Sequence, residues 1–316
     1  MKVSFITTVY NEEKTIKKYL DSLYKQTQLP GEIIIVDGGS SDATVNVLSS
    51  FKQQISKKQK KPVINFSVKK GNRSVGRNEA IKQATGDIIA CSDSGNILDQ
   101  NWIKNITSPF SDLKVDVVAG YYKGLAKTVF QKCVIPYALV MPDKVDPNNF
   151  LPATRSVAFK KSLWKKIGGF NEAFSHNEDY VFARSLKDAG ATIYFAKNAL
   201  VYWLPRNDLR TTFIMMWRFA RGDAEARIFR PKVAFLFARY LIGAALLLFS
   251  LITKSIPGLL LLMGLLFFYI SWAILKNYRY VKDLRAIYFL PVIQFTADAA
   301  VLSGTLQGLM KSPGRN

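Results

Sequence analysis

Histidine, cysteine and acidic residues are scarce in this sequence. One His and two Cys stand among 316 residues, and 23 Asp+Glu face 44 Lys+Arg, a formal net charge of +21. So few soft ligands exclude a metal site built from His and Cys, and two cysteines cannot staple a small scaffold. Any metal would have to be a hard ion held by carboxylates and phosphates. The dinucleotide fingerprint GxGxxG is missing, and so is GxxxxGK[ST], which removes a P-loop nucleotidase. A hydrophobic content of 49% excludes a disordered basic tail. The length fits about two domains. Positive charge on this scale has two usual partners: nucleic acid, or anionic membranes and phosphorylated ligands.

Composition changes abruptly after Lys232. Val233–Ile252 and Ile256–Leu275 are apolar for roughly 20 residues each, the length a bilayer requires. Ile287–Met310 is long enough but contains Gln294, Asp298 and Gln307, so it reads as a span or as an interfacial or re-entrant helix. Arg227, Arg230 and Lys232 precede the first stretch, and Lys276, Arg279, Lys282 and Arg285 lie between the second and third. The turn Thr253–Ser255 offers only Lys254. The positive-inside rule then places the N-terminal part and loop 276–286 in the cytosol, as an integral protein of the cell membrane. Arg239 lies near enough to an end to snorkel, whereas Asp298 reads as a functional or helix-pairing carboxylate. Met1–Tyr10 is too short an apolar run for a signal peptide, so nothing in it sends the soluble part outside.

Residues before about 230 read as α/β. Apolar runs at Val3–Val9, Glu32–Val36, Val63–Val68, Ile88–Cys91 and Asp116–Tyr121 alternate with helical stretches at Glu12–Gln26, after the candidate caps Ser40, Ser41 and Asp42, and at Arg73–Ala84. Such alternation predicts a mostly parallel sheet with helices on both faces and a ligand at the carboxyl ends of its strands. Those ends read Thr8-Val9-Tyr10-Asn11, Asp37-Gly38-Gly39-Ser40 and Ser92-Asp93-Ser94-Gly95. Carboxylates after strands are also ordinary turn formers, the preferred reading for Asp42 and an even one for Asp37 taken alone.

Four segments together resemble the family 2 glycosyltransferases, the inverting class with the GT-A fold. Thr7-Thr8-Val9-Tyr10-Asn11-Glu12-Glu13 is similar to their opening strand and turn, and Ile34 to Thr44 to the second-strand motif whose Asp recognises the nucleotide base. Gly76-Arg77-Asn78-Glu79-Ala80-Ile81 with Ala84-Thr85-Gly86-Asp87 resembles the helix leading to the metal strand. Gly168-Gly169-Phe170-Asn171-Glu172 with Asn177-Glu178-Asp179-Tyr180 resembles the acceptor-side segment. The resemblance covers residues 1–230. It implies a GT-A nucleotide-sugar-binding domain with a mostly parallel mixed sheet and helices on both faces over 1–230, including an interfacial helix region about 206–230; the apolar stretches add a transmembrane helical region over 231–316.

The same resemblance implies roles. Asp179 is the base with Glu178 beside it. Thr8, Tyr10, Asn11, Glu12, Asp37, Arg73, Arg77, Ser92 and Asp93 line the nucleotide sugar, a UDP- or GDP-sugar. Asp93 holds a divalent cation, Mn²⁺ or Mg²⁺, although Gly95 stands where the family usually has a second carboxylate. Weak metal dependence or an inactive member are the other readings of that glycine. Trp217, Arg218 and Arg221 meet the diphosphate or an acceptor phosphate, because a guanidinium forks onto phosphate oxygens. An interfacial helix against lipid headgroups is the competing reading of that segment. Glu178 and Asp179 also suit the first turn of a helix 178–189 on dipole grounds alone. The acceptor is expected to be lipid-linked or membrane-proximal, through a hydroxyl or a phosphate, in cell-envelope glycan synthesis. A non-catalytic sugar-nucleotide-binding protein and a transporter-like protein are the alternatives. The run Lys52–Arg73 carries eight basic residues (52, 57, 58, 60, 61, 69, 70, 73) and no acid, read first as a solvated face, then as membrane attraction. No nucleic-acid module is recognisable, so nucleic acid is not an expected partner. His176 and Cys91 read as structural.

Overall fold

The computed structural model describes residues 1–57, 62–174 and 176–310. They form two compact units: Met1–Leu125 with Met141–Leu204, and Ala126–Val140 with the chain from Pro205 onward.

The first unit is built on an eight-stranded sheet. Its strands are β1 (Val3–Val9), β2 (Glu32–Asp37), β3 (Val63–Val68), β4 (Ile88–Cys91), β5 (Asn96–Leu98), β6 (Val117–Gly124), β7 (Val157–Lys160) and β8 (Ile193–Trp203), in the order β3-β2-β1-β4-β7-β6-β8-β5. Strands β3, β2, β1 and β4 run parallel, as their continuous apolar sequences require, since both faces are covered. Strand β7 is antiparallel to both its neighbours, β8 is parallel to β6, and β5 closes the edge antiparallel to β8. The half-sheet up to β4 agrees with the alternation seen in the sequence. Three strands escape that pattern: β5 has three residues, β7 four, and Lys197 and Asn198 interrupt the apolar rhythm of β8.

Helices α1 (Ile16–Tyr24), α2 (Thr44–Ser56), α3 (Arg73–Gln83), α4 (Trp102–Thr107), α6 (Lys161–Lys166) and α7 (Glu178–Asp188) belong to this unit. The expected start at Glu12 is corrected to Ile16, because residues 12–15 form a turn in which Glu12 O accepts from Thr15 and Ile16 N. Helix α2 begins at Thr44, where Asp42 Oδ1 accepts the Thr44 amide at 3.0 Å. Asn72 caps α3 by accepting from Val75 N. Strand β1 lies between β2 and β4, and the chain adds strands on opposite sides of it. The strand ends at 9–11, 37–40 and 92–95 therefore meet at the point where strand order reverses. Behind them, Ile6, Ile34, Val36, Ile89, Cys91, Phe159 and Phe170 share one core, so Cys91 is core as its strand position suggests.

In the second unit, α5 (Val129–Ala138) and α8 (Leu209–Glu225) accompany α9 (Pro231–Ile252), α10 (Ile256–Val281) and α11 (Ala286–Met310). The last three are long and apolar enough to cross a membrane. Helix α10 runs six residues beyond the apolar stretch, carrying Lys276 and Arg279 in its final turns. Asp298 of α11 pairs with its neighbours: its Oδ2 accepts from Tyr240 OH at 2.9 Å, Arg239 Nη2 at 3.3 Å and Tyr269 OH at 2.5 Å, and its Oδ1 accepts from Gln294 Nε2 at 2.9 Å. These bonds tie α9, α10 and α11 together, the helix-pairing reading of that carboxylate. Arg239 turns inward to join them, over the Tyr269 ring at 4.1 Å. Helix α11 is also packed closely on α8 through Gly304 and Gly308. A Cβ at Gly304 would stand 2.5 Å from Trp217 O, and one at Gly308 2.6 Å from Arg221 O.

Gly304→Val should therefore separate α8 from α11 and lower stability by about 1–3 kcal/mol, the usual cost of overpacking. Gly243 of α9 has no atom within 4 Å of an added Cβ. Gly243→Ala should leave stability unchanged or raise it by about 0.5–1 kcal/mol. Thermal unfolding of the two variants in detergent checks the contrast.

Candidate active site

The centre of the first unit's site is Arg77 on α3, whose side chain is only 2% exposed. Its Nη1 donates to Glu178 Oε1 at 2.7 Å, and its Nη2 donates to Asp93 Oδ1 and to Thr154 Oγ1, both at 2.9 Å. The guanidinium lies over the Phe170 ring at 5.4 Å, and that ring stacks on Phe182 at 3.9 Å. One buried cation thus joins the end of β4 to the first turn of α7. The resemblance implies Arg77 as a nucleotide-sugar contact; the structure instead spends its fork on protein carboxylates.

The adjacent Asn78 fixes the acceptor-side segment. Its Nδ2 donates to Phe170 O and to Glu172 Oε1, both at 2.8 Å, and its Oδ1 accepts from Phe170 N at 2.9 Å and Trp164 Nε1 at 3.2 Å. Every hydrogen-bonding position of the amide is used. Gly168 and Gly169 have φ of 80° and 82°, and a Cβ at Gly169 would lie 2.8 Å from Asn78 Oδ1. Only glycine lets the chain turn there and pass so close. The Arg-Asn and Gly-Gly-Phe segments are thus two halves of one contact.

Asp93 is partly open, its side chain 36% exposed. Burial acts to raise its pKa, but the charges of Arg77, Arg73 and Arg155 outweigh that and hold the carboxyl below the usual range. Asp179 behaves in the opposite way. Burial, then the charges of Glu178 and Asp93, push its pKa up against the opposing pull of Arg77 and Arg155. Two aspartates share one cleft with opposite shifts, the pattern expected where carboxylates have different tasks. Glu178 is buried and committed to Arg77, which leaves Asp179 as the freer of the pair.

Around the switch point, the loops after β1 and β2 are laced together. Asn11 N donates to Ser40 Oγ at 2.8 Å, Ser41 N to Asn11 Oδ1 at 2.9 Å and Glu12 N to Thr44 Oγ1 at 2.8 Å. Asp37 is 0% exposed, and its carboxylate accepts from Gly39 N, Ser40 N and Ser40 Oγ at 2.8, 2.7 and 2.6 Å. Its bonds are those of a turn former. Ser92 is equally buried; its carbonyl accepts from Thr7 and Tyr19 hydroxyls, and its own hydroxyl has no partner among the described residues. Thr8 packs against α3, where a Cβ on Gly76 would stand 2.7 Å from its Cγ2. Glu12 accepts from the Thr15 hydroxyl. Tyr10, 60% exposed, Asn11 and Arg73 present side chains to solvent.

Trp217, Arg218 and Arg221 lie on α8 of the second unit. Arg221 donates to Glu225 at 2.7 Å and covers the Trp217 ring at 5.3 Å, while Arg218 is exposed. Of the basic run, Lys52, Lys57, Lys69, Lys70 and Arg73 are exposed, as on a solvated face, and Lys58, Lys60 and Lys61 lie outside the described residues. Sequence reasoning missed Thr154, Arg155, Tyr122 and Trp203. They sit on a loop without periodicity and on strands whose facing partners are distant in sequence.

A metal has limited provision. Among the described residues no three His, Cys, Asp or Glu side chains come together to hold one. Asp93 offers one ionised, accessible carboxylate, and an added Cβ at Gly95 would meet no atom within 4 Å. That fits a hard divalent ion taking most of its ligands from phosphate and water.

Comparison with known proteins bears on the fold and the family. Residues 4–134 match the family described as Glycosyl transferase family 2. Poly(ribitol-phosphate) beta-glucosyltransferase of Bacillus spizizenii is 30% identical over 213 residues, 66% of this chain and 33% of that protein. Poly-beta-1,6-N-acetyl-D-glucosamine synthase of Staphylococcus epidermidis is 24% identical over 318 residues, 93% of this chain and 73% of that protein. The chain thus spans a third of one curated relative and about three quarters of the other. The mannosyltransferase PcManGT of Pyrobaculum calidifontis, solved with GDP-Man and Mn²⁺, superposes with a TM-score of 0.68 at 18% identity, over 98% of this chain and 87% of that one, a likeness of fold. Residues 4–134, which carry the first three of the four segments, thus match glycosyl transferase family 2, on a GT-A-like mixed sheet, and three helices apolar and long enough to cross a membrane follow.

Proposed function

We propose that the protein is an inverting glycosyltransferase that moves a sugar from a nucleotide-diphosphate donor to a lipid-linked or membrane-proximal acceptor in envelope glycan synthesis. The observation that carries this reading is the pair Asp93 and Asp179, joined through Arg77 and Glu178 and shifted in opposite directions. The donor lies across the ends of β1, β2 and β4, with Asp37 shaping the Gly38–Ser40 turn against which the nucleoside sits. Asp179 faces the sugar carbon opposite the leaving diphosphate and takes the proton of the attacking hydroxyl, which gives in-line displacement with inversion. A bound divalent ion at Asp93 would neutralise the departing diphosphate. Relatives named for poly(ribitol-phosphate) and for O-antigen chain synthesis support an envelope glycan as product. The mannosyltransferase solved with GDP-Man and Mn²⁺ supports a nucleotide-sugar donor and a cation. The basic residues flanking α9 and α10 support a cytosolic site.

Asp179→Asn should lower transfer on the order of 10²–10⁴-fold while nucleotide affinity stays within a few-fold. A base must be unprotonated to act, and the Asp179 pKa is raised. Transfer should therefore climb with pH above the ordinary carboxylate range, and this limb should vanish in the asparagine variant. Rates across pH on donors with a hydroxyl acceptor check both points, and wild-type turnover in the variant removes Asp179 from the mechanism.

Because Gly95 has an ordinary backbone and open space beside it, Gly95→Asp should raise Mn²⁺ affinity in the presence of nucleotide diphosphate. By linkage, it should raise the effect of Mn²⁺ on nucleotide affinity by the same factor. Calorimetric titration with and without Mn²⁺ measures it. For the orientation, single cysteines between α10 and α11 should react only from the cytosolic side of sealed vesicles, and cysteines at Thr253–Ser255 only from the other.

A further inference from the structure

Arg155 is a cation that the site as described does not use. It follows Thr154, whose hydroxyl accepts from Arg77, and precedes Ser156, fully buried and bonded to Trp102 Nε1 at 2.8 Å and to Ala199 O at 3.0 Å. The backbone at Arg155 is therefore pinned on both sides. Its guanidinium carbon lies 5.5 Å from the Tyr122 ring centre and 5.7 Å from that of Trp203, so two aromatic walls confine the side chain. Among the described residues it makes no hydrogen bond and no ion pair, and five N–H donors stay available. Its charge nevertheless reaches both Asp93 and Asp179, so it stands over the same cleft.

A half-buried arginine set between two rings, with no protein hydrogen bond or ion pair among the described residues, keeps its donors for a ligand. A ligand that closes over this guanidinium takes its donors from water, which costs free energy unless they are satisfied, and the cation–π contacts, roughly 0.5–2 kcal/mol each, offset only part. An anionic ligand that offers several oxygens to the fork supplies the rest. The place selects which one. Trp203 pairs with Asn96 in the β5–β8 ladder, and Asn96 N donates to Asp93 O at 3.2 Å, so the aromatic wall adjoins the turn Asp93–Asn96. That turn contains Gly95 and its open space, where the family usually places a second carboxylate.

We propose that Arg155 binds the diphosphate of the donor, its fork meeting the β-phosphate oxygens beside Asp93, and that it supplies charge compensation which a second metal-binding carboxylate would otherwise direct through the ion. This rests on the donor-site reading above. Gly95 in place of a carboxylate, with Arg155 nearby, makes the pocket more positive, so the diphosphate is held with less reliance on metal. During transfer, the bond from the sugar carbon to the β-phosphate oxygen breaks and its electron pair stays on that oxygen. The acceptor oxygen bonds to the carbon, and its proton passes to Asp179. Arg155 keeps all its protons and stabilises the added charge on the leaving phosphate.

The test uses the purified full chain in detergent and calorimetric titration of UDP, UMP, GDP and GMP, with and without Mn²⁺, on the wild type, Arg155→Gln and Arg155→Lys. The diphosphate that binds should bind the wild type more tightly than its monophosphate, even without Mn²⁺. Arg155→Gln should weaken the diphosphate about 10–100-fold, as expected for charge-assisted bonds, while the monophosphate stays within about twofold. Arg155→Lys should recover only part, because a point charge cannot fork. Retained monophosphate affinity shows that the variants keep the fold. Equal losses of diphosphate and monophosphate would make Arg155 a scaffold residue, and no loss of either would leave it outside the site; each result overturns the proposal. If no nucleotide binds the wild type, the donor-site reading itself falls, and this proposal with it.

Discussion

The buried guanidinium of Arg77 is the constraint on which the site depends. Removing the Arg77 cation and the Glu178 carboxylate from water costs several kcal/mol per ion, and their attraction repays this only with good geometry and satisfied donors. Both conditions hold here: the fork is used on Glu178, Asp93 and Thr154, and the flat face lies on Phe170. Three pieces of chain far apart in sequence are held to one point, namely the end of β4, the loop before β7 and the first turn of α7. Asn78, one residue on, locks residues 170 and 172 by the same logic. The helix α3 works as a clamp whose inner face is charged.

The consequence is electrostatic. Asp93 lies within the field of three arginines and stays ionised, while Asp179, beside Glu178 and Asp93, has its proton affinity raised. An ionised carboxylate suits a cation or a fixed charge beside phosphate; one with raised proton affinity suits proton abstraction. The two roles follow from where each side chain stands relative to Arg77, since the residues themselves are chemically identical.

Much of this was legible in the sequence, and the rest was not for definite reasons. The strands β1, β2, β3 and β4 are continuous apolar runs, and the polar residues at their ends fall where open α/β sheets bind ligands. The apolar helices announce themselves by length. What the strings could not show is which polar residues face inward. Asp37 and Arg77 occupy motif positions that suggest ligand contacts, yet both are buried and bonded within their own chain, and Ser92 is buried beside them. Arg155 was invisible because its meaning lies in Tyr122 and Trp203, brought beside it by sheet pairing. Strands β5 and β7 are too short to carry a period of their own. In the second unit, Asp298 signalled importance correctly, but only the structure shows that three helices supply its partners.

The central claim is that Arg77 and Glu178 form one buried unit that sets the carboxylates. A double-mutant cycle on thermal stability tests it most directly, with Arg77→Gln, Glu178→Gln and the pair together, in detergent and at constant protein concentration. Breaking a buried pair by removing one partner is expected to cost about 3–5 kcal/mol, because the other charge is left alone. Removing both should cost clearly less than the sum, with a coupling of about 0.5–3 kcal/mol. Penalties that simply add would contradict the account, since each side chain would then be acting without the other.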